Sequence, residues 1–387
     1  MEVYNQKQNC YGCMACVNVC PTNAIETYAD KEGFLYPQVQ EEQCIHCDRC
    51  RAVCPITKEI EVEEDFDQRI YAVKHLEESL RLKSTSGGMF LALSDAILEQ
   101  GGIVYGAVLD ESLTVVHTRA TNKAERDNMI GSKYVQSDLS EIFSWLEADL
   151  KHNTAVLFTG TPCQIAAIKS YTKGKNTSRL ILCDIVCHGV ASPRMWKEYV
   201  DFQEKKKKSK LKYHYFRTKI NGWHSMTSKN VYESGKEDHE SLRSQLHMNL
   251  FLSDLILRPC CYTCKYSSMK RGSDITIGDY WGVEKSLPTF DDNQGISLVL
   301  INTSKGNELF QKVSNKLKYI ERNASDCLQR NLMEPSMCPS NREVFWKEYQ
   351  ENGYRFILKK YAGYGRSLRI KYAVYHNLKS LKTSLKR

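Results

Sequence analysis

Eight of the sixteen cysteines in this 387-residue sequence fall into two runs with one spacing. Cys10, Cys13, Cys16 and Cys20, followed by Pro21, read C-x2-C-x2-C-x3-C-P, and Cys44, Cys47, Cys50, Cys54 and Pro55 repeat it thirty-four positions later. Three thiolates at i, i+3 and i+6 on one tight loop can grip three corners of an iron–sulfur cubane, while the fourth reaches the other cluster. One [4Fe–4S] cluster is therefore assigned to Cys10, Cys13, Cys16 and Cys54, and its twin to Cys44, Cys47, Cys50 and Cys20. The prolines close each loop with a fixed φ and no N–H to satisfy. Zinc would leave the x3-C-P tail unexplained, and a disulfide framework suits a small secreted domain rather than this chain.

The elements needed to hold such loops follow from the flanking residues. Residues 1–60 are expected to form a ferredoxin-like domain, with strands Ala24–Tyr28 and Phe34–Val39 around the turn Asp30–Gly33. The acidic stretch 58–68 is the expected linker. Residues 69–325 then alternate strand, turn and helix, an α/β pattern in which ligands sit at the carboxyl ends of strands. The buried strands read as Thr154–Phe158 and Leu180–Val186, ending near Cys163 and Cys187. Further strands are expected at 70–74, 103–110, 114–120, 211–234, 296–302 and 317–320, with helices over 139–151 and 242–257. The expected fold class is α+β / α/β: a two-cluster ferredoxin-like domain, a mixed α/β domain and a helical basic tail over 340–387.

Composition excludes several function classes. Hydrophobic residues at 42% and charged residues at 26% describe an ordinary globular chain. The longest apolar stretch, Leu180–Ala191, is broken by Asp184 and His188, so no membrane span is expected. Sixteen cysteines with no secretory leader predict reduced, metal-binding thiols in a cytoplasmic protein. The net charge of +8 is no sign of nucleic-acid binding. Residues 352–387 hold ten Lys or Arg and no acid, and removing those ten from 54 leaves 44 bases against 46 acids. That tail spaces Leu368, Tyr372, Tyr375, Leu378, Leu381 and Leu385 near helical period, which suits peripheral contact with an anionic membrane or plain packing on its own domain.

A second thiol constellation lies outside the ferredoxin runs. Cys163 and Cys187 at strand ends, with the C-x2-C of Cys261 and Cys264, make a fourfold set for a third [4Fe–4S] cluster or for zinc, and spacing alone leaves the two about even. Cys260 beside Cys261 leaves one ligand ambiguous. Cys183, Cys327 and Cys338 read as small buried hydrophobes. The loop Ser86-Gly-Gly88 before an apolar-periodic helix could offer N–H groups to an anion, or be an ordinary helix start.

Five motifs in matching order resemble the coenzyme F-420 hydrogenase/dehydrogenase beta-subunit family. They are Ser86-Gly-Gly-Met-Phe90, Gly131-Ser-Lys-Tyr-Val-Gln-Ser137, Thr159-Gly-Thr-Pro-Cys-Gln164, Asp184-Ile-Val-Cys-His-Gly189 and Ser273-Asp-Ile-Thr-Ile-Gly-Asp-Tyr-Trp-Gly282. The family includes deazaflavin-linked dehydrogenases and ferredoxin-dependent reductases, and similar proteins are encoded among bacterial surface-polysaccharide genes. The resemblance implies FAD in the central domain, with phosphates held by Ser86, Gly87, Gly88, Thr159, Gly160 and Thr161. Lys133 and Arg271 would add charge, Asp279 would bind flavin or ribose, and His188 would deliver a proton or orient a cluster. The implied function is an iron–sulfur flavoprotein oxidoreductase taking electrons from a ferredoxin-like donor or partner subunit to a small-molecule or glycan-precursor substrate. The alternatives are a non-enzymatic electron-transfer subunit and a zinc-stabilised binding module.

Overall fold

The computed structural model describes residues 3–4, 6–239 and 241–365. The basic segment 366–387, and with it the expected membrane-facing helix, lies outside the described residues. The N-terminal module holds a two-stranded antiparallel hairpin, β1 (Ile25–Ala29) and β2 (Leu35–Val39), whose turn is closed by two backbone N–H bonds to Asp30 Oδ1. Its two cysteine runs each lead into a short helix, Ala15–Asn18 and Arg49–Val53.

Residues 69–322 build an eight-stranded mixed sheet from β3 (Arg69–His75), β4 (Ile103–Leu109), β5 (Val115–Ala120), β6 (Val156–Gly160) and β7 (Leu180–Ile185) together with three later strands. Between them in sequence comes a separate three-stranded sheet of β8 (Leu211–Thr218), β9 (Thr227–Tyr232) and β10 (Glu237–Asp238). The large sheet is completed by β11 (Ile275–Asp279), β12 (Ser297–Ile301) and β13 (Leu317–Arg322). Its order is β13-β3-β12-β11-β7-β6-β4-β5, with β4, β6, β7 and β11 parallel and the outer pairs antiparallel.

Successive side chains of a strand point to opposite faces, and both faces here are covered. Val156, Phe158, Leu180 and Leu182 join one core with Ile142, Leu146, Ile165 and the ferredoxin residues Cys16, Ile25 and Val53. Leu157, Ile181 and Cys183 pack on the other face with Met89, Leu93 and Phe310. A third core joins the three-stranded sheet to the helices Pro193–Lys207, Arg342–Asn352 and Tyr354–Tyr361.

Two expectations are corrected. The helix expected over 242–257 is confined to Leu246–Leu252, because Asp254 takes a left-handed φ of 61° and the chain turns toward Arg258-Pro259. Cys338 is exposed rather than buried, whereas Cys183 and Cys327 are buried. Among the described residues no helix is long and apolar enough to cross a membrane.

Candidate functional site

The thiols of Cys10, Cys13, Cys16 and Cys54 line one small cavity, and those of Cys20, Cys44, Cys47 and Cys50 line another. This is the crossed pairing that the spacing demands. The backbone explains the tight loops: φ is positive at Gly12 and Met14 in the first run and at His46 and Asp48 in the second. Gly12 N–H donates to Cys10 Sγ at 3.4 Å and Ala24 N–H to Cys20 Sγ at 3.3 Å, the direction that favours a thiolate. Burial, with the neighbouring sulfurs, raises Cys13 and Cys16 well above an ordinary thiol, so a cluster bound there would have to supply the positive charge that ionises them.

The third set also converges. β6 and β7 are parallel neighbours, with Gly160 opposite Asp184, so the residues just past their ends meet. Cys163 sits in the first turn of helix Pro162–Tyr171, started by a capping box between Thr161 and Gln164. The C-x2-C segment is brought to Cys187 by strand-like bonds, Ser192 N–H to Ile256 O and Arg258 N–H to Val190 O. Gly189 is required there: a Cβ would lie 2.9 Å from Leu257 and 3.3 Å from Cys261. Burial pushes Cys163 up to about 12, and the sulfurs of Cys261 and Cys264 push the same way. Cys261, not Cys260, is the member of the pair whose sulfur acts on both Cys187 and Cys163, which favours it as the metal-facing one. Among the described residues no three His, Cys, Asp or Glu close on a single-ion site.

Two tyrosines join the sets. Tyr11, inside the first loop, packs its ring against Tyr266 with centroids 5.6 Å apart. Burial raises both phenols, and the sulfurs acting on Tyr266 come from Cys163 and Cys264 on one side and Cys13 and Cys54 on the other. The set around Cys47 is outermost, with Cys47 itself exposed and Ile45 62% exposed.

The residues assigned to a flavin divide. Lys133 stays without a carboxylate among the described residues: its Nζ donates to the backbone carbonyls of Asn128 and Ile130, and burial lowers it to about 7. Most of the others make side-chain or backbone bonds inside the chain. Ser86 Oγ donates to Ile296 O at 2.8 Å and Gly87 N–H to Ser297 Oγ at 2.9 Å. Gly87 lies so close to β3 and β12 that a Cβ would be 2.2 Å from Val73 O. Gly88, at φ 94°, starts helix Met89–Leu98. Thr159 Oγ1 donates to Tyr105 O, and Gly160 packs on Gln164. Thr161 caps the helix that carries Cys163. Arg271 is buried in a pair with Asp184 at 3.2 Å and donates to Ile185 O and Tyr266 O. Asp279 is taken by Arg217 and by Trp223 Nε1 at 2.7 Å.

His188 lies beside the third set, bonded to Asp254 at 2.5 Å, its ring against Phe251, which in turn packs on Tyr134. That places it one ring away from the 131–137 loop. Two residues escaped sequence reasoning. Lys219, which has no motif around it, donates to Ser86 O and Arg81 O at 2.7 Å each, and burial lowers it to about 7. Arg258 is fully buried at the junction of the first loop and the third set, and its position next to Pro259-Cys260-Cys261 was the available signal. A separate cleft of about 650 Å³ lies under linker residues 58–63; Tyr266 and Arg271 line it, but Ser86, Lys133 and Thr159 do not.

Paired cubane sites with a third thiol set behind them define an iron–sulfur redox protein. Residues 9–57 match the family model described as a 4Fe-4S dicluster domain. Residues 153–326, a little under half of the chain, match the model that describes the C terminus of the coenzyme F420 hydrogenase/dehydrogenase beta subunit, so this region is similar to that beta subunit. A polyferredoxin-like protein of Methanocaldococcus jannaschii is 34% identical over 55 residues, 12% of this chain. The chain spans about a third (33%) of the length of that curated relative. Among solved structures, a chain of the F420-reducing [NiFe] hydrogenase complex from Methanosarcina barkeri shares 18% identity, with a TM-score of 0.45 over 73% of this chain and 88% of that chain.

Proposed function

We propose that this chain is an iron–sulfur flavoprotein oxidoreductase, in which electrons from a ferredoxin-like donor enter at the Cys44–Cys50 loop and pass inward to FAD and a small-molecule substrate. The observation that carries this reading is the continuity of the three thiol sets, from exposed Cys47 through Cys13 and Cys54 to Tyr266 and Cys163. Iron–sulfur clusters carry single electrons, and a bound flavin supplies the exchange of single electrons for a hydride.

The chain's own residues then have definite tasks. Lys133, an ammonium without a carboxylate partner among the described residues, would meet the anionic part of the flavin. Lys219 and Ser86 hold the neighbouring loop in place. Thr161 fixes the helix start on which Cys163 is presented. His188, oriented by Asp254, would deliver a proton or orient the adjacent cluster. The family resemblance supports a setting in surface-polysaccharide biosynthesis, with a glycan precursor as substrate.

A second reading, an electron-transfer subunit without a substrate of its own, is favoured by one observation. Ser86, Gly87, Arg271 and Asp279 spend their polar groups within the chain. Metal and flavin analysis of anaerobically purified protein decides between the readings. About 12 irons with about one FAD supports the flavoprotein. About 12 irons without flavin supports the subunit, and about 8 irons with zinc removes the third cluster. Unchanged flavin content in both Lys133→Met and Thr161→Ala would count against the flavin placement.

A further inference from the structure

Arg258 is 0% exposed, and each of its three guanidinium nitrogens donates to a neutral partner. Nε donates to Cys10 O at 2.7 Å, Nη1 to Gln136 Oε1 at 2.8 Å and Nη2 to Leu35 O at 2.9 Å, while the guanidinium lies 4.4 Å from the centroid of the Tyr36 ring. No carboxylate pairs with it among the described residues. A guanidinium stays charged at any accessible pH, and burying it without a counter-anion costs several kcal/mol. Yet the fold accommodates it closely: a Cβ on Gly12 would stand 2.5 Å from Nη1, so this loop must carry glycine where the second loop carries His46.

A second cation stands on the other flank of the same junction. Lys265 Nζ donates to Pro55 O at 2.9 Å and Ile56 O at 3.0 Å, and also to Lys58 O, again without a carboxylate partner among the described residues. Each cation therefore grips a peptide at or next to a ligand of the same cubane, Cys10 for Arg258 and Cys54 for Lys265. The missing counter-anion is the cubane itself. Four thiolates around the iron–sulfur core form a net anion, which gains one further negative charge on reduction. Reduction adds one electron, and no proton moves and no bond forms or breaks.

We propose that Arg258 and Lys265 are the built-in counter-charges of the cubane held by Cys10, Cys13, Cys16 and Cys54, and that they raise its reduction potential above the value its burial would otherwise impose. A fixed charge acts strongly on an added electron where water is excluded, and cluster potentials follow net charge, hydrogen bonding and exposure. Among the described residues the outer cubane has no buried cation of this kind: Arg49, which lines its cavity, is exposed. Its neighbours Asp48 and Arg51 form a solvent-exposed pair at 3.6 Å, where solvent screens them. Both cations also face sulfurs of the third set, Cys261 for Arg258 and Cys264 for Lys265, so the inner signal is identified by its loss in Cys13→Ser; the inference does not depend on the flavin.

The test is an EPR-monitored redox titration of the full-length, anaerobically purified protein, with iron content measured alongside. The outer signal is identified by its loss in Cys47→Ser. Arg258→Met is expected to lower the inner midpoint by at least a tenfold change in the reduction equilibrium, about 59 mV for one electron. Lys265→Met should give a smaller drop, Arg258→Lys should retain most of the wild-type value, and the outer midpoint should stay fixed. A fully loaded Arg258→Met with an unchanged inner midpoint overturns the proposal. So does an Arg258→Lys shift as large as that of Arg258→Met, or an equal shift of both cubanes. If Arg258→Met does not load its clusters, Lys265→Met decides, and an unchanged inner midpoint there overturns it.

Discussion

The loops Cys10–Cys20 and Cys44–Cys54 carry the same spacing and the same left-handed turns, yet the protein treats them in opposite ways. The first is built into the molecule: Gln136 donates to Tyr11 O, Arg258 to Cys10 O, and Cys10 and Cys16 are buried. The second ends in solvent at Ile45, His46 and Cys47. Local geometry thus makes two alike thiol sites, and packing divides them into an inner, buried one and an outer, exposed one. That division suits the electron path proposed above, from a donor at the surface inward.

The largest expected effect separates the two loops directly. Cys13→Ser and Cys47→Ser should each cost about 4 irons per chain, as one cubane is lost. The Cys47→Ser protein should keep its inner clusters reducible by dithionite while losing reduction by ferredoxin, as followed by visible absorbance. Equal behaviour of the two variants would erase the distinction between inner and outer.

A second test compares the ferredoxin module with the domain behind it. Burial lowers His117 and His247 to about 4 and His214 to about 3, against 6.5 when unfolded. In the folded state they stay neutral, His117 Nε2 donating to Thr159 O and His247 Nε2 to Tyr134 O. Below pH 6.5 the unfolded chain therefore binds more protons. Their contribution is complete above about 6.5 and is lost as pH falls toward 4, by up to about 1.4 kcal/mol per pH unit for each histidine. All five tryptophans lie outside residues 1–60, so fluorescence-monitored denaturation reports this loss, while cluster absorbance reports the module.

Substitutions at the matched turn positions sharpen the contrast further. Gly12→Ala should destabilise by about 2–3 kcal/mol, because strain at φ 65° adds to the clash with Arg258. His46→Gly, at φ 52° in the open loop, should stabilise by no more than about 1 kcal/mol. An effect of similar small size is expected at the hairpin turn. Glu32→Gln weakens its bond to Arg342 and should cost about 1 kcal/mol, measured as a denaturation midpoint with unchanged iron content.

Much of this was legible in the sequence because it is local. The crossed cubane ligands follow from spacing and chain reach. The run Thr154–Phe158 read as a buried strand, observed as β6 (Val156–Gly160), because a strand covered on both faces is apolar throughout. Arg271 and Asp279 misled for the opposite reason. A charged residue in a glycine-bearing motif looks available to a ligand, and only the fold shows that Asp184 and Arg217 already hold them.

The sequence by itself marked the two-cluster ferredoxin runs and the crossed thiol sets expected to hold them, since these follow from residue type and short-range spacing. It left open the meeting of Cys163, Cys187, Cys261 and Cys264, which depends on β6 and β7 lying side by side and on a long-range pairing of residues 190–192 with 256–258. Tertiary structure alone decided which cubane is inner, and it alone placed Arg258 and Lys265 against that one. Burial and the absence of a carboxylate partner are properties of the packed chain, so no spacing along the sequence encodes them.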